Sequence, residues 1–118
     1  MIVNAALASL AAVASPRRRE VLRLVWDRER SAGEIASAMP EVTFGAVSQH
    51  LSYLAREGFL ACRPQGRRRY YSARKEALGP LREWLEQSWT DALSRLKCKA
   101  ELEASRRGPK RIVERGKK

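Results

Sequence analysis

Apolar residues recur at helical spacing through the first half of the chain, switch to short alternating runs near residue 60, and return to helical spacing near residue 80. At the start, Val3, Leu7, Leu10 and Ala14 share one side of a helix. Ser15 followed by Pro16 has the form of a cap and first-turn pair. Val21, Leu22, Leu24, Val25 and Trp26 then supply a broad apolar face that runs to about Asp27. Ser31 with Glu34 three residues on has capping-box form, Ile35, Ala36 and Met39 follow on one side, and Pro40 stops that short helix. Thr43 caps a further helix running to Glu57, with Gly58 where a left-handed residue ends it.

The period then changes. "FLACR" and "RRYYSA" read as strands joined by the turn "PQG", a hairpin crowded by Arg63, Arg67, Arg68 and Arg69. Gly79–Pro80 restarts a long helix in which Leu81, Trp84, Leu85, Ser88, Trp89, Ala92, Leu93 and Leu96 follow helical spacing. From Lys97 onward nine basic residues meet three acidic ones, and Gly108–Pro109 breaks any helix. These patterns predict one domain over 1–100 and a basic, flexible tail over 101–118. Two helices joined by the short "PEV" turn and followed by an Arg-tipped hairpin predict a winged helix-turn-helix, mainly α with a β-hairpin.

Centring the buried side of the helix capped by Thr43 on Val47 sorts its residues. Leu51, Leu54 and Gly58 join the core face, whereas Gly45, Ser48, Gln49, Ser52 and Arg56 lie opposite. Ser and Gln exchange hydrogen bonds with base edges, and Gln pairs bidentately with adenine. Gly45 and Ala46, early in the helix, let it sit deep in a major groove, where the Ala46 methyl can meet a thymine methyl, and Thr43 at the cap is a further candidate DNA contact. Arg67, Arg68 and Arg69 in the hairpin are expected on phosphates or in the minor groove, as are one or more of Arg17, Arg18 and Arg19 at a helix start.

Charge narrows the partner. Twenty-four Lys and Arg against thirteen Asp and Glu give +11 over 118 residues, which suits a protein whose partner is a polyanion, double-stranded DNA first. A membrane surface usually needs a basic amphipathic helix with bulky anchors, and no stretch reaches the roughly 20 apolar residues of a span, so no membrane is expected. The apolar start lacks basic residues before it and "PRRR" follows it, the reverse of a secretory signal, so a cytoplasmic protein is expected. His50, the sole histidine, borders the apolar stripe beside Gln49. It cannot form a two-histidine metal face, and no nucleophile set assembles around it, so neither catalysis nor a cofactor is expected. Donation to a phosphate or base edge and a packed imidazole satisfied inside the protein both remain open for it.

At "AVSQHLSYLAREGFL" and "GRRRYYS" the sequence resembles the ArsR/SmtB family of bacterial winged-helix repressors. The resemblance spans about Pro16 to Trp89. It implies a homodimer, paired through the first and last helices, that represses from an operator. The apolar residues of those helices, Val3, Leu7, Leu10, Leu85, Trp89, Leu93 and Leu96, are the expected interface. The family's founding metal sensors carry a Cys-x-Cys where this chain has Ser31 and Gly33, and their second site uses histidines absent here. The chain thus resembles the metal-independent branch, often autoregulatory, and no metal is expected. Two other readings stay beside this one. Cys62 or Cys98 could serve as a ligand- or redox-responsive switch, or the charge alone could make a non-specific nucleic-acid binder.

Overall fold

The computed structural model describes the backbone of residues 2–107, and the side chains of that stretch apart from 2–5, 94, 97–99, 101 and 103–107. The chain divides into two compact units, Met1–Glu83 and Trp84–Lys118.

In the first unit α1 (Ile2–Ala14) precedes α2 (Pro16–Leu24), whose N-cap Ser15 accepts a hydrogen bond from the Arg18 amide at 3.3 Å. A two-residue strand β1 (Arg30–Ser31) leads into α3 (Ala32–Ser37). Ser31 Oγ accepts from the Glu34 amide at 3.1 Å while the Glu34 carboxylate accepts from the Ser31 amide at 2.8 Å, so the capping box closes reciprocally. Thr43 caps α4 (Phe44–Arg56) by accepting from the Ala46 amide at 3.1 Å. Gly58, with φ +89°, takes the left-handed conformation that lets the chain leave α4 for β2 (Leu60–Gln65). β3 (Arg68–Ala73) follows, then a 3-10 turn over Lys75–Leu78 and the start of α5 (Leu81–Arg107).

The sheet has three antiparallel strands in the order β1-β3-β2, one more than the expected hairpin. Arg30 and Ser31 pair with Tyr71 and Tyr70, which adds the third strand. Gln65 pairs with Arg68, leaving Gly66 and Arg67 as a two-residue loop. Positive φ at Gly66 alone (+63°) is the II′ pattern that matches strand twist, and it puts Arg67 at the tip. Val21 and Leu22 from α2, Val25 at its C-cap, Ile35 and Met39 around α3, Val47, Leu51 and Leu54 from α4, and Phe59 and Leu60 at the strand entrance are all buried. α4 packs on α2, α3 and β2, which fixes its rotation and turns the opposite face outward.

The second unit is helical from Trp84 as far as Arg107. Helix thus continues past the 100/101 boundary expected from composition, and 108–118 lie outside the described residues. Leu93, Leu96 and Leu102 are about two-thirds exposed, and Trp89 is half-buried. Leu85, expected on a dimer face, is instead 0% exposed and has no surface to offer a partner. Leu7 and Leu10 of α1 are exposed, while the Val3 side chain lies outside the described residues.

Candidate nucleic-acid interface

α4 sorts as its spacing predicts. Val47, Leu51 and Leu54 are buried, and Gly45, Ser48, Gln49, Ser52 and Arg56 are exposed along the other side. Thr43 is exposed at the cap, and Ala46 is half-buried. A concavity of about 960 Å³ runs between α3, the start of α4 and the hairpin. Phe44 and Ser48 line it from the helix, Arg67, Arg68 and Arg69 from the wing, and Ala32 and Gly33 from α3. All three wing arginines are exposed. The arrangement sets a polar, small-residue helix face beside a cationic edge, the combination that serves base edges and phosphates respectively.

Arg63 belongs to the wing's bracing. Its guanidinium donates two hydrogen bonds to the Glu29 carboxylate, each at 2.9 Å, and stacks 4.9 Å from the Tyr70 ring. The same fork holds the Glu29 carboxyl below its ordinary range.

The three arginines at the start of α2 divide between two surroundings. Arg18 does not point its guanidinium at solvent. Nε donates to the Ala12 carbonyl at 3.1 Å and Nη2 to the Ala11 carbonyl at 2.7 Å, and the group lies 4.5 Å from the Tyr53 ring. Arg19 donates to the Val13 carbonyl at 2.6 Å. Arg18 and Arg19 thus complete the last turn of α1, where carbonyls lack intrahelical partners and the helix dipole favours cations. Arg17 is exposed and keeps its guanidinium clear of hydrogen bonds among the described residues. Arg56 approaches the same Tyr53 ring, at 5.9 Å.

His50 is half-buried and has no hydrogen-bond partner for its imidazole among the described residues. Burial, then the charges of Arg18 and Arg17, push its pKa below the ordinary value, so the ring is neutral at pH 7. Cys62 is exposed on β2 across from Tyr71, whose phenol is raised by burial and then by Cys62; the Cys98 side chain lies outside the described residues. Ser31 and Gly33, the positions that the resemblance matches to the metal sensors' thiolates, carry no thiol, and among the described residues no group of three or more His, Cys, Asp or Glu is placed to hold a metal. Among the described residues no helix is long and apolar enough to cross a membrane. Phe44 lines the same concavity, and the spacing did not single it out. An aromatic directly after the N-cap of α4 is the signal that could have found it.

A family model described as "Bacterial regulatory protein, arsR family" matches residues 15–61. The transcriptional activator HlyU of Vibrio cholerae is 31% identical over 87 residues, covering 74% of this chain and 80% of that protein. The HTH-type transcriptional regulator Rv2034 of Mycobacterium tuberculosis is 36% identical over 83 residues, 70% of this chain and 77% of that one. The solved structure of HlyU from Vibrio cholerae N16961 matches with a TM-score of 0.67 and 29% identity, over 75% of this chain and 96% of that chain. On these likenesses, and with a polar reading helix set beside an arginine wing, the chain belongs to the arsR family of bacterial regulatory proteins, and it is a winged helix-turn-helix transcriptional regulator that binds DNA, not an enzyme.

Proposed function

We propose that two copies of the chain bind an inverted-repeat operator and repress transcription by occluding it, the chain's own promoter included. α4 enters the major groove, where Ser48 and Gln49 read base edges and Gly45, Ala46 and Ser52 allow close approach. Arg67, Arg68 and Arg69 lie on phosphates or in the minor groove, with Arg17 as a further phosphate contact and Thr43, His50 and Arg56 at the margins. The observation that carries this reading is the concavity that Ser48 shares with the three wing arginines. Pairing of two copies is supported by the exposed Leu7 and Leu10 on α1 and Leu93 and Leu96 on α5, apolar surface that a lone chain leaves in water. Such a protein works where the chromosome is, in the cytoplasm, and needs no metal.

Selection of bound duplexes from a random pool tests this. The expected product is an inverted repeat with half-sites about one helical turn, or a multiple of it, apart. Sedimentation at micromolar concentration should give a dimer, and a reporter driven from the selected site should fall when the protein is expressed. A monomeric mass sinks the pairing, and a rise in the reporter replaces repression by the activator role for which the Vibrio cholerae relative is named.

A further inference from the structure

The first turn of α4 carries an aromatic ring that the fold leaves in water. Phe44 is 61% exposed, although it lies only three residues before the fully buried Val47. A singly exposed apolar residue is ordinary on a protein surface. The setting of this one is not. The ring lines the same concavity as Ser48, one helical turn further along, and as Arg67, Arg68 and Arg69 opposite. None of these guanidiniums stacks on it among the described residues, where the close cation–ring contacts fall on Tyr53, Tyr70 and Trp26. It is therefore an unused apolar surface at the N-terminal end of the helix, the end from which a reading helix touches base edges.

DNA offers such a ring few partners. Major-groove edges present nitrogen and oxygen donors and acceptors, and the one apolar protrusion among them is the C5-methyl of thymine. We propose that Phe44 is a specificity-determining residue whose ring covers the methyl of one thymine in each half-site. Ser48 and Gln49 hydrogen-bond to the edges of neighbouring bases. This rests on α4 being the helix that reads the major groove. It adds a discrimination that those polar side chains lack, because the methyl distinguishes thymine from uracil, whose hydrogen-bonding edge is the same.

The test starts from the duplex enriched by wild-type protein and replaces its thymines one at a time with deoxyuridine, which deletes the methyl alone. At one thymine per half-site, wild type should lose about fourfold in affinity, the worth of one buried methyl group. Phe44→Ala should bind the thymine and deoxyuridine forms of that position equally, while keeping wild-type responses at every other thymine. Phe44→Leu, still apolar, should keep part of the difference. Each variant is compared with itself on paired duplexes, so a change in the fraction of active protein cancels. An enriched site at which no deoxyuridine effect disappears in Phe44→Ala overturns the assignment and leaves the reading helix standing. Failure to enrich any site overturns sequence-specific reading and the Phe44 assignment together.

Discussion

Replacing Arg18 by Met keeps the aliphatic stem, deletes the guanidinium, and separates a bracing role from a phosphate-binding one. The deletion removes a part-buried donor to the Ala12 carbonyl at 3.1 Å, a more exposed donor to the Ala11 carbonyl at 2.7 Å, and a cation 4.5 Å from the Tyr53 ring. A charged hydrogen bond half in water is worth about 1 kcal/mol, the exposed one about half that, and the ring contact about 0.5 kcal/mol. Arg18→Met should therefore lose about 2 kcal/mol in urea unfolding, measured at one fixed protein concentration because the proposed pairing would contribute to stability. Operator affinity should fall as well, since the group ties the end of α1 to Tyr53 on α4. The slope of log K against log salt should stay where it is, because no phosphate contact has gone. Arg17→Met is the matched opposite, with stability unchanged and a slope shallower by about 0.9, the value of one phosphate. An Arg18→Met protein as stable as wild type, with a slope shallower by about 0.9, would refute the bracing role.

The two halves of the interface should fail differently. Gln49→Ala should cost about 1–3 kcal/mol on the operator and little on random DNA, whereas Arg67→Ala should weaken both alike and flatten the salt slope by about 0.9; equal weakening of both duplexes by Gln49→Ala would remove it from base reading. His50 has a folded-state pKa below its unfolded one, from burial and then from Arg18 and Arg17, so the unfolded chain takes the proton first. Its contribution to stability is complete above about pH 6.5 and is lost as pH falls through the lowered folded value. Urea midpoints of His50→Gln should lack that acid-side loss, and superimposable pH profiles would contradict the shift. Zinc at near-stoichiometric concentration should leave operator affinity unchanged, and a tenfold loss reversed by a chelator would reveal a site.

Local signals in the sequence carried most of the fold. The caps at Ser15, Ser31 and Thr43 were readable because each satisfies an amide within three residues, so the partner is adjacent in the chain. The orientation of α4 was readable because Val47, Leu51 and Leu54 repeat at the helical period. What escaped depends on distant partners. A strand of two residues has no period, and Arg30 and Ser31 become β1 only through Tyr71 and Tyr70, some forty positions later. "PRRR" advertises positive charge but not where a guanidinium ends, and a flexible stem lets Arg18 and Arg19 turn back onto carbonyls six or seven residues earlier. Leu85 and Leu93 share the same spacing pattern, yet one is fully buried and the other 68% exposed, a difference only tertiary packing decides.

The capping box at Ser31 sets the order in which this scaffold could acquire a metal response. A thiolate pair at 31 and 33 is what the metal-sensing branch would require here. At Gly33 the change is easy: a β-carbon would meet Ser31 Oγ at 3.9 Å, ordinary contact, and a residue better suited to a helix would replace the poorest but proline. At Ser31 it is not, because the hydroxyl holds the Glu34 amide at the start of α3, and a sulfur is a weak acceptor; losing that cap costs about 1 kcal/mol. Until the second thiolate arrives, neither substitution binds metal tightly enough to offset the loss. By stability alone Gly33→Cys would thus come first, and a chain that took Ser31→Cys first would meet a stability penalty with no new function to select for.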